Sequence, residues 1–350
     1  MTVLQAPGLA AEELTRILLG HSAFQYLRAG CELGLFETLE RSPGLSREEI
    51  GAALELQDRP LDILVLGTTS LHLIDRHEDG RYRNSAMIHD VMAAGYWDLV
   101  TAVAGFEAYI TYSGLADFTE SLRSNSNVGL RRFPGSGPTL YHRLTENPEL
   151  SAVFYRFMRT WSEVASRHLV ENVDFGTVQR LLDIGGGDGA VSIAVARAFP
   201  QVQATVLELP GVVPLIRQRV AEAGLSDRIR AVGADIFEDP YPPGQDAVMF
   251  VHQLQIWPLE RDIALLRNAH SALSPGGKVL IMSSMSEDAL DGPLMAALAS
   301  PFFAGVAGEG GMIYSWIRYE DCLREAGFTD IRRIRCPGAI TPHGIIVATK

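Results

Sequence analysis

Residues 181–190, LLDIGGGDGA, decide the fold: Leu181, Leu182, Asp183 and Ile184 read as the end of a buried strand, and Ala190 opens a helix. Between them Gly185, Gly186, Gly187 and Gly189 allow a tight turn and close approach of the backbone to a ligand. Working outward, strands at 179–184, 205–209, 229–234, 247–251 and 277–283 alternate with helical periods at 191–199, 212–223 and 259–273. A helix at 319–326 and strands near 331–335 and 344–348 complete the pattern. Alternation of this kind predicts an α/β fold, a Rossmann-like doubly wound and mainly parallel sheet. Such sheets bind ligands at the carboxyl ends of their strands, where the glycine turn lies.

Gly185, Gly187 and Ala190 also satisfy the dinucleotide pattern GxGxxG/A, and Glu208 follows Gly189 by 19 residues, near the place of a ribose-binding acid. Spacing alone therefore leaves a nicotinamide dinucleotide open. Two acids weigh against it, since Asp183 and Asp188 crowd the position of a pyrophosphate with its two negative charges. A cationic ligand suits that place better. S-adenosyl-L-methionine carries an ammonium and a sulfonium, no phosphate, and a ribose diol that Glu208 can hold through charge-assisted hydrogen bonds. Asp235, after the third strand, lies where an adenine amino group would be.

The 350 residues are enough for about two domains, and 47% hydrophobic content gives each a core. The net charge of -12 repels nucleic-acid backbones and anionic lipid, so neither nucleic acid nor membrane is an expected partner. Three dispersed cysteines without a CxxC pair suggest neither a disulfide framework nor a zinc site, and no metal is expected. No basic leader precedes Glu12 and Glu13, and no apolar run reaches membrane-spanning length, which points to the cytoplasm.

Apolar residues recur at helical spacing from Leu14 to Leu39, followed by a capping-box start at Ser46 to Glu49 and an Asp58-Arg59-Pro60 helix opening. Short strands at 71–74 and 81–84 around Glu78-Asp79-Gly80 complete a winged helix-turn-helix. Residues 1–100 hold eight arginines, no lysine and fifteen acids, so this unit lacks the basic face of a groove reader and reads as a packing or dimerisation module. The polar, Gly- and Pro-rich stretch 124–139 reads as a linker or mobile loop. The resulting division is a mainly α-helical winged-helix domain over 1–125, a linker with inter-domain helices over 126–165, and the Rossmann-like domain over 166–350.

Together Asp183-Ile184-Gly185-Gly186-Gly187-Asp188-Gly189, Leu207-Glu208-Leu209-Pro210, Gly233-Ala234-Asp235-Ile236-Phe237, Leu273-Ser274-Pro275-Gly276-Gly277 and Glu325-Ala326-Gly327-Phe328 resemble the motifs of one family. It is the large group of plant and bacterial small-molecule O-methyltransferases, which place a winged-helix dimerisation domain before a Rossmann-like methyltransferase domain. The resemblance spans nearly the whole chain. It implies a homodimer that uses S-adenosyl-L-methionine on a small-molecule acceptor, an aromatic or polyketide-like secondary metabolite. By the same resemblance Asp183 and Gly185 hold the methionine end, Glu208 the ribose, Asp235 and Ile236 the adenine, and Ser162 the cofactor carboxylate; Gly187 and Leu209 complete the set.

The catalytic end departs from the pattern. Family members end strand 4 in an LHDW-type motif whose His takes the acceptor's proton, and the register set by Asp246 and Trp257 puts Gln255 there. Glutamine cannot serve as a base. The acids expected after strand 5 and before the last helix are replaced by Ser283-Ser284-Met285-Ser286 and Gly311-Met312-Ile313-Tyr314-Ser315. His252 lies three residues before Gln255, and a helical turn after the strand would put both on one face, with His252 as the base. The plainer alternative is a buried histidine bonded to a backbone carbonyl. His142 is a weaker candidate base. Met158, Trp161, Gln255, Met295 and Phe302, with Phe154 and Phe303, are expected to line an apolar acceptor cleft between the domains, and the stretch 305–314 reads as a loop able to cover it. Without the usual His, carbon or nitrogen acceptors gain weight over an ordinary phenol oxygen. A relative that binds the cofactor for a non-methylating reaction is the other alternative.

Overall fold

The computed structural model describes residues 9–308, 310–336, 341 and 343–350. The chain forms two compact units, Met1–Ala108 and Tyr109–Lys350. The first contains α1 (Ala11–Leu18), α2 (Gly20–Glu32), α3 (Leu35–Arg41), α4 (Arg47–Ala53), α5 (Asp58–Ser70), β1 (Ile74–Arg76), β2 (Tyr82–Asn84), α6 (Ala86–Ala93) and α7 (Trp97–Phe106). Ser46 starts α4 as predicted: its hydroxyl accepts from the Glu49 N–H, and the Glu49 carboxylate accepts from the Ser46 N–H at 2.7 Å. The tandem helices α4 and α5 and the antiparallel wing β1–β2 close over Leu35, Phe36, Leu39, Ile50, Leu61 and Ile74. Arg47 is tied to Asp58 and Asp62, and Arg81 to Glu49, so arginines of the winged helix are neutralised by its own acids.

The second unit begins with α8 (Tyr112–Gly114), α9 (Phe118–Ser124), α10 (Leu140–Leu144) and the 25-residue α11 (Pro148–Asn172). It continues through β3 (Arg180–Ile184), α12 (Ala190–Ala198), β4 (Gln203–Glu208), α13 (Val213–Glu222), β5 (Ile229–Gly233), β6 (Gln245–Val251), α14 (Leu259–Ala272) and β7 (Leu273–Ser284). α15 (Leu294–Phe302), α16 (Trp316–Glu325), β8 (Thr329–Arg335) and β9 (His343–Thr349) complete it. Seven strands form one sheet in the order β5-β4-β3-β6-β7-β9-β8, parallel except for β9, which runs antiparallel to both neighbours. Alternate residues feed a core on each face. Leu182, Ile184, Val248 and Phe250 meet Leu265, Trp316 and Tyr319 of α14 and α16, whereas Leu181, Val206 and Met249 meet Ala165, Leu169, Val191 and Ile216 of α11, α12 and α13. The doubly wound sheet read from the sequence is the observed one.

The stretch 124–139 is packed rather than strung out as a linker. Leu130 and Phe133 are buried, and the Arg143 guanidinium donates to the carbonyls of Leu130, Phe133 and Gly137 at 2.8, 2.7 and 2.9 Å. One guanidinium thus satisfies three backbone acceptors that have no ladder, which composition alone does not reveal. Likewise the described part of 305–314 is fixed, with Val306 buried in a π-helical turn (Phe303–Ala307) and the Tyr314 hydroxyl within 2.9 Å of the Trp257 carbonyl and 2.8 Å of that of Gly310. Among the described residues no helix is long and apolar enough to cross a membrane.

Asp262, in the first turns of α14, is buried with both carboxylate oxygens unpartnered, and burial with the nearby Glu260 charge pushes its carboxyl up to about 9. The folded state therefore prefers the protonated acid, and the stability this confers declines as pH rises from near 4 through about 9. Asp262→Asn should be more stable than the parent at pH 8 by about 2 kcal/mol and flatten that decline; thermal melts of the two proteins between pH 5 and 9 measure the difference.

Candidate active site

At the carboxyl end of β3 the chain makes the expected turn with Gly185, Gly187 and Gly189 all at positive φ, +65°, +58° and +81°. Asp183 points beneath it, fully buried, accepting from the Ser192 hydroxyl at 2.7 Å while its Oδ1 has no partner. Burial pushes this carboxyl up to about 7 against the opposing Ser192 hydrogen bond. A Cβ at Gly186 would come within 2.6 Å of Asp183 Oδ2 and 2.8 Å of Val206, whereas one at Gly187 would meet nothing within 4 Å. The turn is thus packed on its inner side and open on its outer side. Glu208, ending the adjacent β4, accepts from the Gly187 N–H at 3.0 Å and the Leu209 N–H at 2.8 Å, and burial raises its carboxyl. Leu209 beside it is 55% exposed. After β5, exposed Asp235 accepts from the Phe237 N–H at 2.8 Å and half-buried Ile236 packs below.

Asp183, Glu208 and Asp235 therefore end three adjacent strands. On α11, Tyr155, Arg159 and Ser162 follow helical spacing along one face. Arg159 reaches Asp188 at 3.6 Å, and the Glu208 charge raises the Tyr155 phenol after burial does. Ser162, half-buried, shares the face turned to the glycine loop. Asp188 departs from its expected role as a bare repellent of phosphate, because Arg159 at 3.6 Å and Arg219 at 3.5 Å offset its charge. The residues still fit S-adenosylmethionine: Asp183 has an orphan carboxylate oxygen, Glu208 an acceptor pair beside the open side of Gly187, and Leu209 an uncovered apolar side chain.

His252 follows β6 at φ +57°, a left-handed conformation unusual for a non-glycine, with its N–H donating to the Met282 carbonyl at 2.8 Å. Its ring is buried, and Nε2 lies 3.3 Å from His343 Nε2 while Nδ1 has no partner. Trp161 stands beside the pair, with ring centroids 6.3 Å from His252 and 5.1 Å from His343, and the Phe157 ring is 5.5 Å beyond it. Burial pushes the His252 imidazole down to about 3, and His343 well below its ordinary value, so both rings are neutral.

Gln255 does not share this environment. Its amide oxygen accepts from the Ser283 hydroxyl, whereas His252 meets His343, which pairs across the sheet with Ser284. Successive strand residues point to opposite faces, so the expected common face of His252 and Gln255 gives way to opposite sides of the sheet. The left-handed turn at His252 is the cause. His142 is exposed, its Nδ1 bonded at 2.7 Å to Thr139, the cap of α10. Met158 is half-buried on α11 beside Phe157, Met295 is exposed in the first turn of α15, and Phe302 packs on Phe303 at 5.1 Å.

His343 and Thr341, whose hydroxyl meets His343 Nδ1, were not foreseen. A signal existed in Thr341-Pro342-His343-Gly344: a polar group opening a final antiparallel strand stands at the ligand end of a parallel sheet. Among the described residues no group of three or more His, Cys, Asp or Glu is disposed to hold a metal.

A model of the O-methyltransferase domain matches residues 112–329, and one of the O-methyltransferase dimerisation domain matches 15–88. The chain is 53% identical over 344 residues to an L-tyrosine C(3)-methyltransferase of Streptomyces lavendulae, covering 98% of this chain and 93% of that one. It is 33% identical to a 3-hydroxy-5-methyl-1-naphthoate 3-O-methyltransferase of Streptomyces sahachiroi, covering 96% and 94%. Among solved structures, the apo form of the S-adenosylmethionine-dependent methyltransferase SibL superimposes with a TM-score of 0.88 at 44% identity, covering 97% of this chain and 99% of that one.

Proposed function

Because the chain belongs to the O-methyltransferase family and is an S-adenosylmethionine-dependent methyltransferase of small molecules, we propose that it methylates a ring carbon beside the hydroxyl of a phenolic amino acid, L-tyrosine first among them. The observation that carries this reading is Gln255: the amide where the family resemblance implies a proton-taking His is held by Ser283, and on the other face His252 Nδ1 is buried without a partner, as is Nε2 of His168 on α11. The 53% identity to a tyrosine ring methyltransferase supports the same choice.

Bound S-adenosylmethionine supplies an electrophilic methyl on a sulfonium. Glu208 would hold the ribose hydroxyls, Leu209, Asp235 and Ile236 the adenine, and Asp183, Gly185, Gly187 and Ser162 the methionine end. Trp161 forms one wall of the acceptor site with Met158 and excludes water there, with Met295 and Phe302 contributing to the same cleft. His252 Nδ1 accepts the phenol hydrogen bond and takes that proton, which pushes electron density to the ring carbon that bonds the methyl; that carbon then loses its own hydrogen to solvent, so the aromatic ring is restored and one proton is released in all. Alignment in a dry cleft does the rest.

Incubation with L-tyrosine and methyl-labelled S-adenosylmethionine, with the product read by NMR, tests this. Label on C-3 of the ring is expected; label on oxygen, or none, overturns ring methylation.

The active form is a homodimer assembled through the first unit, where Leu14, Ile17, Leu18 and Leu19 leave an apolar strip exposed on and after α1. Ile17→Glu with Leu18→Glu should convert a dimer of about 76 kDa, twice the 38.2 kDa chain, to monomer in light scattering at micromolar concentration.

A further inference from the structure

The His252 ring is half of a buried pair with His343. The two Nε2 atoms are 3.3 Å apart with ring centroids at 4.8 Å, and at that distance one hydrogen must lie between them, since two lone pairs or two N–H groups would repel. Two neutral imidazoles carry two ring hydrogens in all. One is shared between the Nε2 atoms, so the second sits on one outer Nδ1 only. The outer nitrogen of His343 faces the buried Thr341 hydroxyl, and that of His252 faces no protein partner. A hydroxyl either donates or accepts, so its orientation decides the tautomers of both rings. When Thr341 accepts from His343 Nδ1–H, His343 Nε2 accepts from His252 Nε2–H and His252 Nδ1 is bare.

We propose that His252 and His343 work as a coupled imidazole pair, with Thr341 holding His252 Nδ1 bare and His343 receiving the charge when the acceptor gives up its proton. This rests on the methyl-transfer reading and names two positioning residues for it. In the step, the phenol O–H bond breaks and an N–H forms at His252 Nδ1, as the ring carbon beside the hydroxyl gains the methyl and the methyl–sulfur bond breaks. The His252 Nε2–H bond breaks and an N–H forms at His343 Nε2. His252 ends neutral and His343 becomes the imidazolium, its Nδ1–H still donating to Thr341. Its charge then lies 5.1 Å from the Trp161 ring, within cation–π range, and one ring farther from a cationic cofactor. The methylated ring carbon then loses its own hydrogen to solvent, which restores the aromatic ring, and the proton held on His343 returns through His252 to the phenol oxygen.

The test uses the full-length enzyme with ¹⁵N-labelled histidine, and the variants Thr341→Val, Thr341→Ser and His343→Phe. The parent should show opposite tautomers, Nδ1 protonated on His343 and bare on His252. Thr341→Val should lose that pattern and at least tenfold in kcat on L-tyrosine, with the Kd for S-adenosylmethionine unchanged, and Thr341→Ser should restore both. His343→Phe should lose about 100-fold in kcat with the same Kd. Equal tautomers in the parent, or a Thr341→Val protein with parental nitrogen shifts and kcat within twofold, overturn the proposal. The nitrogen pattern is read without any acceptor, so a parent that leaves L-tyrosine unmethylated overturns the ring-methylation reading and leaves the test of the pair intact.

Discussion

His252→Asn is expected to lower kcat by about 10² to 10⁴ while the Kd for S-adenosylmethionine stays within about threefold. Asparagine is the informative replacement because it tolerates the left-handed backbone, here φ +57°, so the turn after β6 survives. It retains polarity but has no nitrogen that takes a proton. The residues proposed for the cofactor lie at the ends of β3, β4 and β5 and, for Ser162, on α11, and Glu208 and Gly187 keep their hydrogen bond. Single-turnover kinetics beside calorimetric titration separate the two effects. A variant that methylates at the parental rate would remove His252 from the chemistry and leave it the role of a buried ring in the wall.

Glu208→Gln should weaken S-adenosylmethionine by at least about 100-fold, read by the same titration. The carboxylate accepts through one oxygen from Gly187 and through the other from Leu209, and the ribose diol adds charge-assisted bonds worth ~1.5 to 3 kcal/mol each. An amide has one oxygen. Its NH₂ must face a backbone N–H, donor against donor, so the variant loses ribose affinity and loosens the glycine turn together. Affinity within tenfold of the parent would place the ribose elsewhere.

Buried parallel strands announce themselves as apolar runs, which is why the alternation from β3 onward is legible to within a few residues. The glycine turn is legible for a different reason, since three left-handed positions in one short loop leave few alternatives to glycine. What stays hidden depends on direction in space. Whether His252 and Gln255 share a face is set by one backbone angle, and no periodicity encodes it. Asp188 is offset by Arg159 and Arg219, 29 residues before it and 31 after it in the chain. His343 joins His252 only because β9 inserts antiparallel beside β7, a pairing across 91 residues.

α11 runs about 37 Å at 1.5 Å per residue. It carries Arg159 against Asp188 and Trp161 against the histidine pair, so one helix joins the glycine turn to the buried imidazoles, the two places where the proposed function puts the cofactor and the acceptor. Under the proposed function, whatever factor S-adenosylmethionine applies to the acceptor's affinity must equal the factor the acceptor applies to that of S-adenosylmethionine.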